Sequence, residues 1–315
     1  MSRPARPLVG AGAAEALTGA RVRVRVPATS ANLGPGFDSL AVALDLHDEV
    51  EAELVEVGAG VSVEVSGQGA GEVPADASHL VAETLLDALA GLGVRGVGLR
   101  LRCANRVPHG RGLGSSAAAI VAGLLAARAL AGPAGQGQTD ADLLVAAGRR
   151  EGHPDNAAAC LLGSATVAWT EGTNARAVRL VVHPQLVAVA FVAEQRLATT
   201  AARAVLPDTV SHAEAAANSA RTALLVHALA HRPDLLLAAT EDRLHQAYRR
   251  AAMPASLDLV HRLREQSVPA VLSGAGPSVL ALVTRTDGAR VAGLAGAGWR
   301  PMVLEVERVG AIRLD

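Results

Sequence analysis

The chain has 315 residues, half of them apolar and 19% charged, with a net charge of −1. This composition supplies a packed core and argues against disorder, while near-neutral charge and only 2% aromatic residues argue against a polyanion binder or a base-stacking surface. All 29 cationic residues are arginine, so mechanisms that need a lysine ammonium, such as the Walker lysine or a Schiff base, are excluded.

The length allows two domains or one large one. Residues 1 to about 20 are rich in Ala, Gly, Pro and Arg and read as a disordered tail. Arg21–Val26 alternates strictly as RVRVRV and reads as a half-exposed strand that Pro27 stops. Asp48–Val57 and Val61–Val65 repeat the alternation. His79–Leu92 has helical spacing and a glycine stop, and Val97–Cys103 alternates again. Ser115–Leu130 is a long Ala/Leu helix entered from a glycine-rich loop, and Thr139 with Asp142 forms a capping box for the next helix. Ser164–Trp169 and Leu186–Val192 read as strands. The second half turns helical over Ser211–His231, Pro233–Arg250 and Ser256–Gln266, with strands at Ala270–Leu272, Ser278–Val283 and Met302–Val306. Mixed strands and grouped helices imply an α+β fold with a boundary near residue 170.

Cys103 and Cys160 sit in apolar surroundings and read as buried free thiols. The ten histidines form no metal-ligand pattern that would hold zinc. No uninterrupted apolar run approaches the ~18 residues needed to span a bilayer.

Four segments carry chemistry. Pro108–Ala118, PHGRGLGSSAA, joins a strand to a helix. Its glycines let the backbone approach an anion, and the helix start offers unpaired N–H groups to a phosphate. A serine-capped turn would look the same. The segment is neither a P-loop, which needs lysine, nor a Rossmann fingerprint. Pro27–Asp38, PATSANLGPGFD, and Leu272–Pro277, LSGAGP, are each also explicable as turns. Glu151–Asn156, EGHPDN, packs two carboxylates, an imidazole and an amide into six residues, as a catalytic loop or a charged surface loop would.

Together these segments resemble the GHMP kinases, and PATSANLGPGFDS with EGHPDN is similar to their homoserine kinase branch. The resemblance runs from about residue 20 to at least residue 285 and takes in ATEDRLHQAYR and TAARAVLP. It implies a two-domain α+β fold, with a ribosomal-protein-S5-like domain over 21–170 and a ferredoxin-like domain over 171–315. It implies ATP-dependent phosphorylation of L-homoserine in threonine biosynthesis, by a cytoplasmic homodimer that binds neither nucleic acid nor membrane. ATP would be co-substrate and Mg²⁺ the metal. The alternatives are another small-alcohol kinase of the superfamily and a non-catalytic ATP sensor of the same fold.

The resemblance also implies site residues. Pro108, His109, Gly110, Arg111, Gly112, Leu113, Gly114, Ser115, Ser116, Ala117 and Ala118 would wrap the ATP phosphates, with Arg111 offsetting their charge and Ser116 contributing to Mg²⁺. Asp155 would orient the attacking hydroxyl or take its proton, flanked by His153 and Asn156. Asn32 and Asp38 would hold the amino group. Thr199, Arg203, Arg249 and Gly276 would surround the carboxylate, for which arginine is the bidentate partner. Arg111 stands where relatives often carry lysine, and HQAYR replaces HQPYR. The glutamate that some relatives place ten residues before the aspartate is Val145 here, so Glu151 or else Asp142 would serve as the metal carboxylate, or water would fill the position.

Overall fold

The computed structural model describes residues 11–314. In chain order the elements are α1 (Ala11–Ala16), β1 (Arg21–Asn32), β2 (Gly36–Val55), β3 (Val61–Gly67), α2 (Leu80–Gly91), β4 (Gly98–Asn105), α3 (Ser115–Leu130), α4 (Asp140–Glu151), α5 (Asp155–Leu162), β5 (Ala165–Glu171) and β6 (Asn174–Leu180). There follow β7 (Leu186–Ala193), α6 (Thr199–Ala204), α7 (His212–Ala230), α8 (Leu236–Ala239), α9 (Pro254–Glu265), β8 (Ala270–Leu272), β9 (Val279–Thr284), α10 (Gly288–Ala292), β10 (Trp299–Glu305) and β11 (Ile312–Arg313). None of the described helices is long and apolar enough to cross a membrane.

Part of the expected disordered tail is ordered. Residues 1–10 lie outside the described residues, but α1 is a helix, Ala14 is buried, and the backbone of Gly19 and Ala20 pairs with Leu54 of β2. In β1 the alternation buries Val22, Val24 and Val26, while Arg21 and Arg23 pair across the strand with Glu53 and Glu49. Pro27 does not end the strand. The β1–β2 ladder shifts register between Pro27 and Ala28, which absorbs the missing N–H, and pairing continues to Asn32.

The first sheet has seven strands in the order β11-β1-β2-β4-β3, with β5 pairing β2 and β6 pairing β5. Helices α2 to α5 supply Leu85, Leu89, Leu124, Leu143 and Ala157 to its core. The boundary expected near residue 170 falls within β5, whose hairpin partner β6 extends the same sheet.

The second sheet runs β10-β7-β9-β8, all antiparallel. Strand β7 is buried along its whole length, which its unbroken apolar run LVAVAFVA requires. Leu186, Ala188, Ala190 and Val192 face one core cluster, and Val187, Val189 and Phe191 face another. The first of these also contains Leu33, Leu40, Val42 and Leu113, so one apolar core ties the two sheets together.

The continuous helix expected over Pro233–Arg250 is broken. A 3₁₀ turn, α8 and a second 3₁₀ turn at Ala247–Ala251 replace it. Between them the Asp242 carboxylate accepts N–H bonds from Leu244, His245 and Gln246 at 2.7–3.1 Å, taking over from the helical ladder. This break turns His245 and Arg249 inward.

Candidate active site

The four chemistry-bearing segments converge on one cleft of about 510 Å³, walled also by Thr199 and Arg203 of α6 and by Arg249. The loop before α3 is locked in place by contacts that only glycine permits. A Cβ on Gly114 would overlap Thr29 Oγ1, and one on Gly112 would overlap the Ser273 carbonyl oxygen, both at positive φ. Ser273 Oγ donates to Gly112 O at 2.7 Å and lies 2.9 Å from Ser30 Oγ, while Gly274 N donates to Ala31 O at 3.1 Å. Thus PATSAN, GRGLGSS and LSGAGP form one assembly. Gly276, which precedes a cis-proline, completes that wall.

Helix α3 starts at Ser115 behind Gly114, which provides no side-chain cap. Its first amides therefore face the cleft unpaired and carry the positive end of the helix dipole. Ser116 Oγ donates to Glu151 Oε1 at 2.5 Å, so the expected metal-binding hydroxyl and carboxylate lie side by side. Asp142 sits at the opposite end of α4, in the capping box with Thr139, and does not line the cleft. Arg150, also in the cleft wall, pairs with Glu83 and Asp87.

Asp155 opens α5 and is 1% exposed. Its Oδ1 accepts from Asn156 N at 2.7 Å and bonds His153 Nδ1 at 2.8 Å, and the second bond holds the His153 pKa above the ordinary imidazole value. Thr29 Oγ1 donates to Asn156 Oδ1 at 2.8 Å, linking the first motif to this loop. Asn32 Oδ1 accepts from Asp38 N at 3.0 Å, and Asn32 Nδ2 donates to Gly274 O at 2.8 Å. Both Asn32 and Asp38 are in the left-handed region, which short polar side chains tolerate best among non-glycine residues.

Arg203 forks the Asp38 carboxylate at 2.5 and 3.0 Å. Arg249 is 1% exposed and donates to Ala202 O, Gly274 O and His245 Nδ1. Burial lowers its pKa to about 10, with the nearby Arg203 charge adding to the effect, so it stays cationic at neutral pH. Burial likewise pushes the His245 pKa down. The neutral imidazole then donates from Nε2 to Gly34 O and accepts from Arg249 at Nδ1. Phe37 stacks on His245 and lies under both guanidinium groups, 5.5 Å from Arg203 and 5.7 Å from Arg249.

Not every expected residue reaches this cleft. Arg111 donates to the carbonyls of Ala193, Glu194 and His109 and is absent from the cleft wall. Its guanidinium ties the loop to the end of β7. Leu113 is buried in the core that joins the sheets, and Pro108 is also buried. His109 and Ala118 line a second, more apolar cavity of about 290 Å³, which shares Leu80, Ser115 and Ser116 with the first. Val73, Pro74, His79 and Asn105 also line it and belong to none of the four segments. Its only local trace is His79, placed as the N-cap of α2.

Residues 77–164 match the family model for the GHMP kinase N-terminal domain. The chain is 52% identical over 300 residues to a homoserine kinase of Streptomyces avermitilis, covering 95% of this chain and 97% of that one. It is 50% identical over 299 residues to one from Streptomyces coelicolor, covering 95% and 96%. The crystal structure of homoserine kinase from Cytophaga hutchinsonii superposes with a TM-score of 0.82 at 28% identity, over 93% of this chain and 97% of that one. A mevalonate diphosphate decarboxylase from Staphylococcus aureus shares the fold at 15% identity, with a TM-score of 0.68 over 94% and 98% of the chains. With the fold, the cleft and the full-length likeness all in agreement, the chain belongs to the homoserine kinase family of the GHMP kinases.

Proposed function

We propose that the chain transfers the γ-phosphoryl group of Mg·ATP to the side-chain hydroxyl of L-homoserine by direct in-line attack, yielding O-phospho-L-homoserine and ADP. The observation that carries this reading is the joint lining of one cleft by a phosphate-type helix terminus, an amino-acid-type charge set and Asp155. The apolar second cavity, continuous with Ser115 and Ser116, suits the nucleotide base.

Phosphoryl transfer asks the protein mainly to position reactants and stabilise developing charge. The α3 amides serve that end on the phosphate oxygens. Ser116 and Glu151 offer the hard oxygen donors that Mg²⁺ prefers, and a bound Mg²⁺ would neutralise phosphate charge there. On the acceptor side, Arg203 and Arg249 bind the substrate carboxylate with Thr199 and Gly276 beside them, and Asp38 with Asn32 takes the amino group. Asp155 Oδ1 is engaged by His153 and Asn156, which leaves Oδ2 to meet the substrate hydroxyl. We assign Asp155 to orientation of that hydroxyl, because a loose transition state places little demand on a strong base.

The test is ADP release by the purified protein with Mg·ATP and L-homoserine, beside L-serine, L-threonine, mevalonate and no acceptor, with phosphorus NMR of the product. Homoserine-dependent release of ADP and phosphohomoserine is expected. Turnover only with another alcohol would overturn the substrate, and ATP binding without any turnover would make the chain a nucleotide sensor.

A further inference from the structure

The acceptor half of the cleft is already ion-paired with itself. Asp38 stands at the start of β2 and Arg203 on α6, and both line the cleft with side chains 36% exposed. Their two-point contact at 2.5 and 3.0 Å occupies both carboxylate oxygens and both terminal guanidinium nitrogens. These are the groups that a substrate amine and a substrate carboxylate would need. Next to them Arg249 is buried, and among the described residues its donors meet only carbonyl oxygens and a neutral imidazole. The Phe37 ring lies under both guanidinium groups and favours their staying over its face.

A ligand therefore enters by exchange. A carboxylate without an amine can take Arg203 and Arg249, but it strands the Asp38 charge. An amine without a carboxylate can take Asp38, but it leaves Arg203 unpaired beside a second cation. Stranding one member of a partly desolvated pair is the costly outcome, and forming a full complement is the favourable one. We infer that the Asp38–Arg203 pair is a built-in competitor of the substrate, one that only a zwitterionic α-amino acid displaces without leaving a charge unpaired. The inference rests on the proposed function and adds to it: recognition of the amino and carboxylate groups is coupled, so selection acts on the zwitterion and not on either charge alone. Phe37 is a positioning residue in this scheme, holding the two guanidinium groups for one carboxylate.

The experiment measures kcat/KM for three alcohols: L-homoserine, 4-hydroxybutyrate, which lacks the amine, and 3-amino-1-propanol, which lacks the carboxylate. Asp38→Asn is the informative variant, because asparagine tolerates the left-handed backbone and keeps the backbone N–H to Asn32. It should lower kcat/KM for homoserine by ~10²-fold and raise that for 4-hydroxybutyrate by at least ~10-fold, since Arg203 is released. A residue with a merely structural role would not improve any substrate. Arg203→Gln supplies the converse, an expected rise of similar size for 3-amino-1-propanol, and keeps the inference open to refutation if Asp38→Asn does not fold. If neither variant improves its matching fragment while melting temperature and ATP affinity stay at wild-type values, the exchange is refuted and the kinase reading stands. Wild-type protein without homoserine turnover would refute both.

Discussion

The two halves of the cleft are built from different materials. On the nucleotide side the working groups are backbone: helix amides behind a loop that is packed against Thr29 and the Ser273–Gly276 turn. On the acceptor side they are charged side chains contributed by β2, α5, α6 and the 3₁₀ turn at Ala247–Ala251, and Asp38 pairs there with Arg203 and Asp155 with His153. Backbone sites depend on close approach, so they tolerate no added atom. Side-chain sites depend on charge balance, so they tolerate atoms but not the loss of a partner.

The largest expected effect tests the first half of that contrast. Gly114→Ala places a methyl group on Thr29 Oγ1, whereas Gly110→Ala meets only the Arg196 side chain at an ordinary 3.5 Å. Both glycines have positive φ, so both variants bear the left-handed penalty of about 1–2 kcal/mol. Only the first must also displace the loop. We expect kcat/KM for ATP to fall by ~10³-fold in Gly114→Ala and by ~10-fold or less in Gly110→Ala, with a matching difference in melting temperature. Equal damage would mean that backbone conformation, not packing, is what the loop requires.

A smaller effect tests the second half. Asp155→Asn preserves the shape of the side chain and its place at the start of α5 while removing its charge. If Asp155 orients the substrate hydroxyl, kcat should fall by only ~10-fold, whereas a fall of ~10³-fold or more would assign it proton transfer. Single-turnover kinetics with rapid mixing separates this from slow product release.

The same contrast explains what the sequence made legible. Gly112, Gly114, Ser115 and Ser116 announce themselves because a loop that presents backbone to an anion needs those residue types in consecutive positions. His153 and Asp155 stand out as neighbours within EGHPDN, and the structure adds the bond between them. The partners of Arg111 were not legible, because the carbonyls that hold it belong to Ala193 and Glu194, 82 and 83 positions away. The helix break before Arg249 was hidden because Asp242 substitutes a side-chain acceptor for the helical ladder, which apolar spacing does not register. The first part of β2, Gly36 to His47, escaped notice for another reason. Leu40 to Leu44 are buried on both faces, so the alternation that marks a half-exposed strand is missing. The wall of the second cavity needed the fold itself, since Val73, His79 and Asn105 share no local pattern.

The last effect, read on stability and not on activity, concerns a buried carboxylate on the nucleotide side. Asp48 is 6% exposed, and its Oδ1 accepts the Arg106 and Val107 amides at 2.6 and 2.8 Å, fixing the backbone that leads into the phosphate loop. Burial pushes its pKa up to about 6, against an ordinary 3.8, despite those two amides. The folded protein therefore holds this proton more tightly than the unfolded chain does. Its contribution to stability is fully present below pH 3.8 and declines as pH rises to about 6, by on the order of 2–3 kcal/mol in total. Asparagine can accept the same two amides without a charge to desolvate. Asp48→Asn should accordingly raise the free energy of unfolding at pH 7.5 and flatten its pH dependence between about pH 4 and 6, as read by urea denaturation at a series of pH values. Loss of a charge would then stabilise the nucleotide half, while at Asp38 and Asp155 it reduces activity with homoserine. A lower stability for Asp48→Asn at pH 7.5 would mean that the nucleotide half, too, depends on a charge, and the division between the halves would fail.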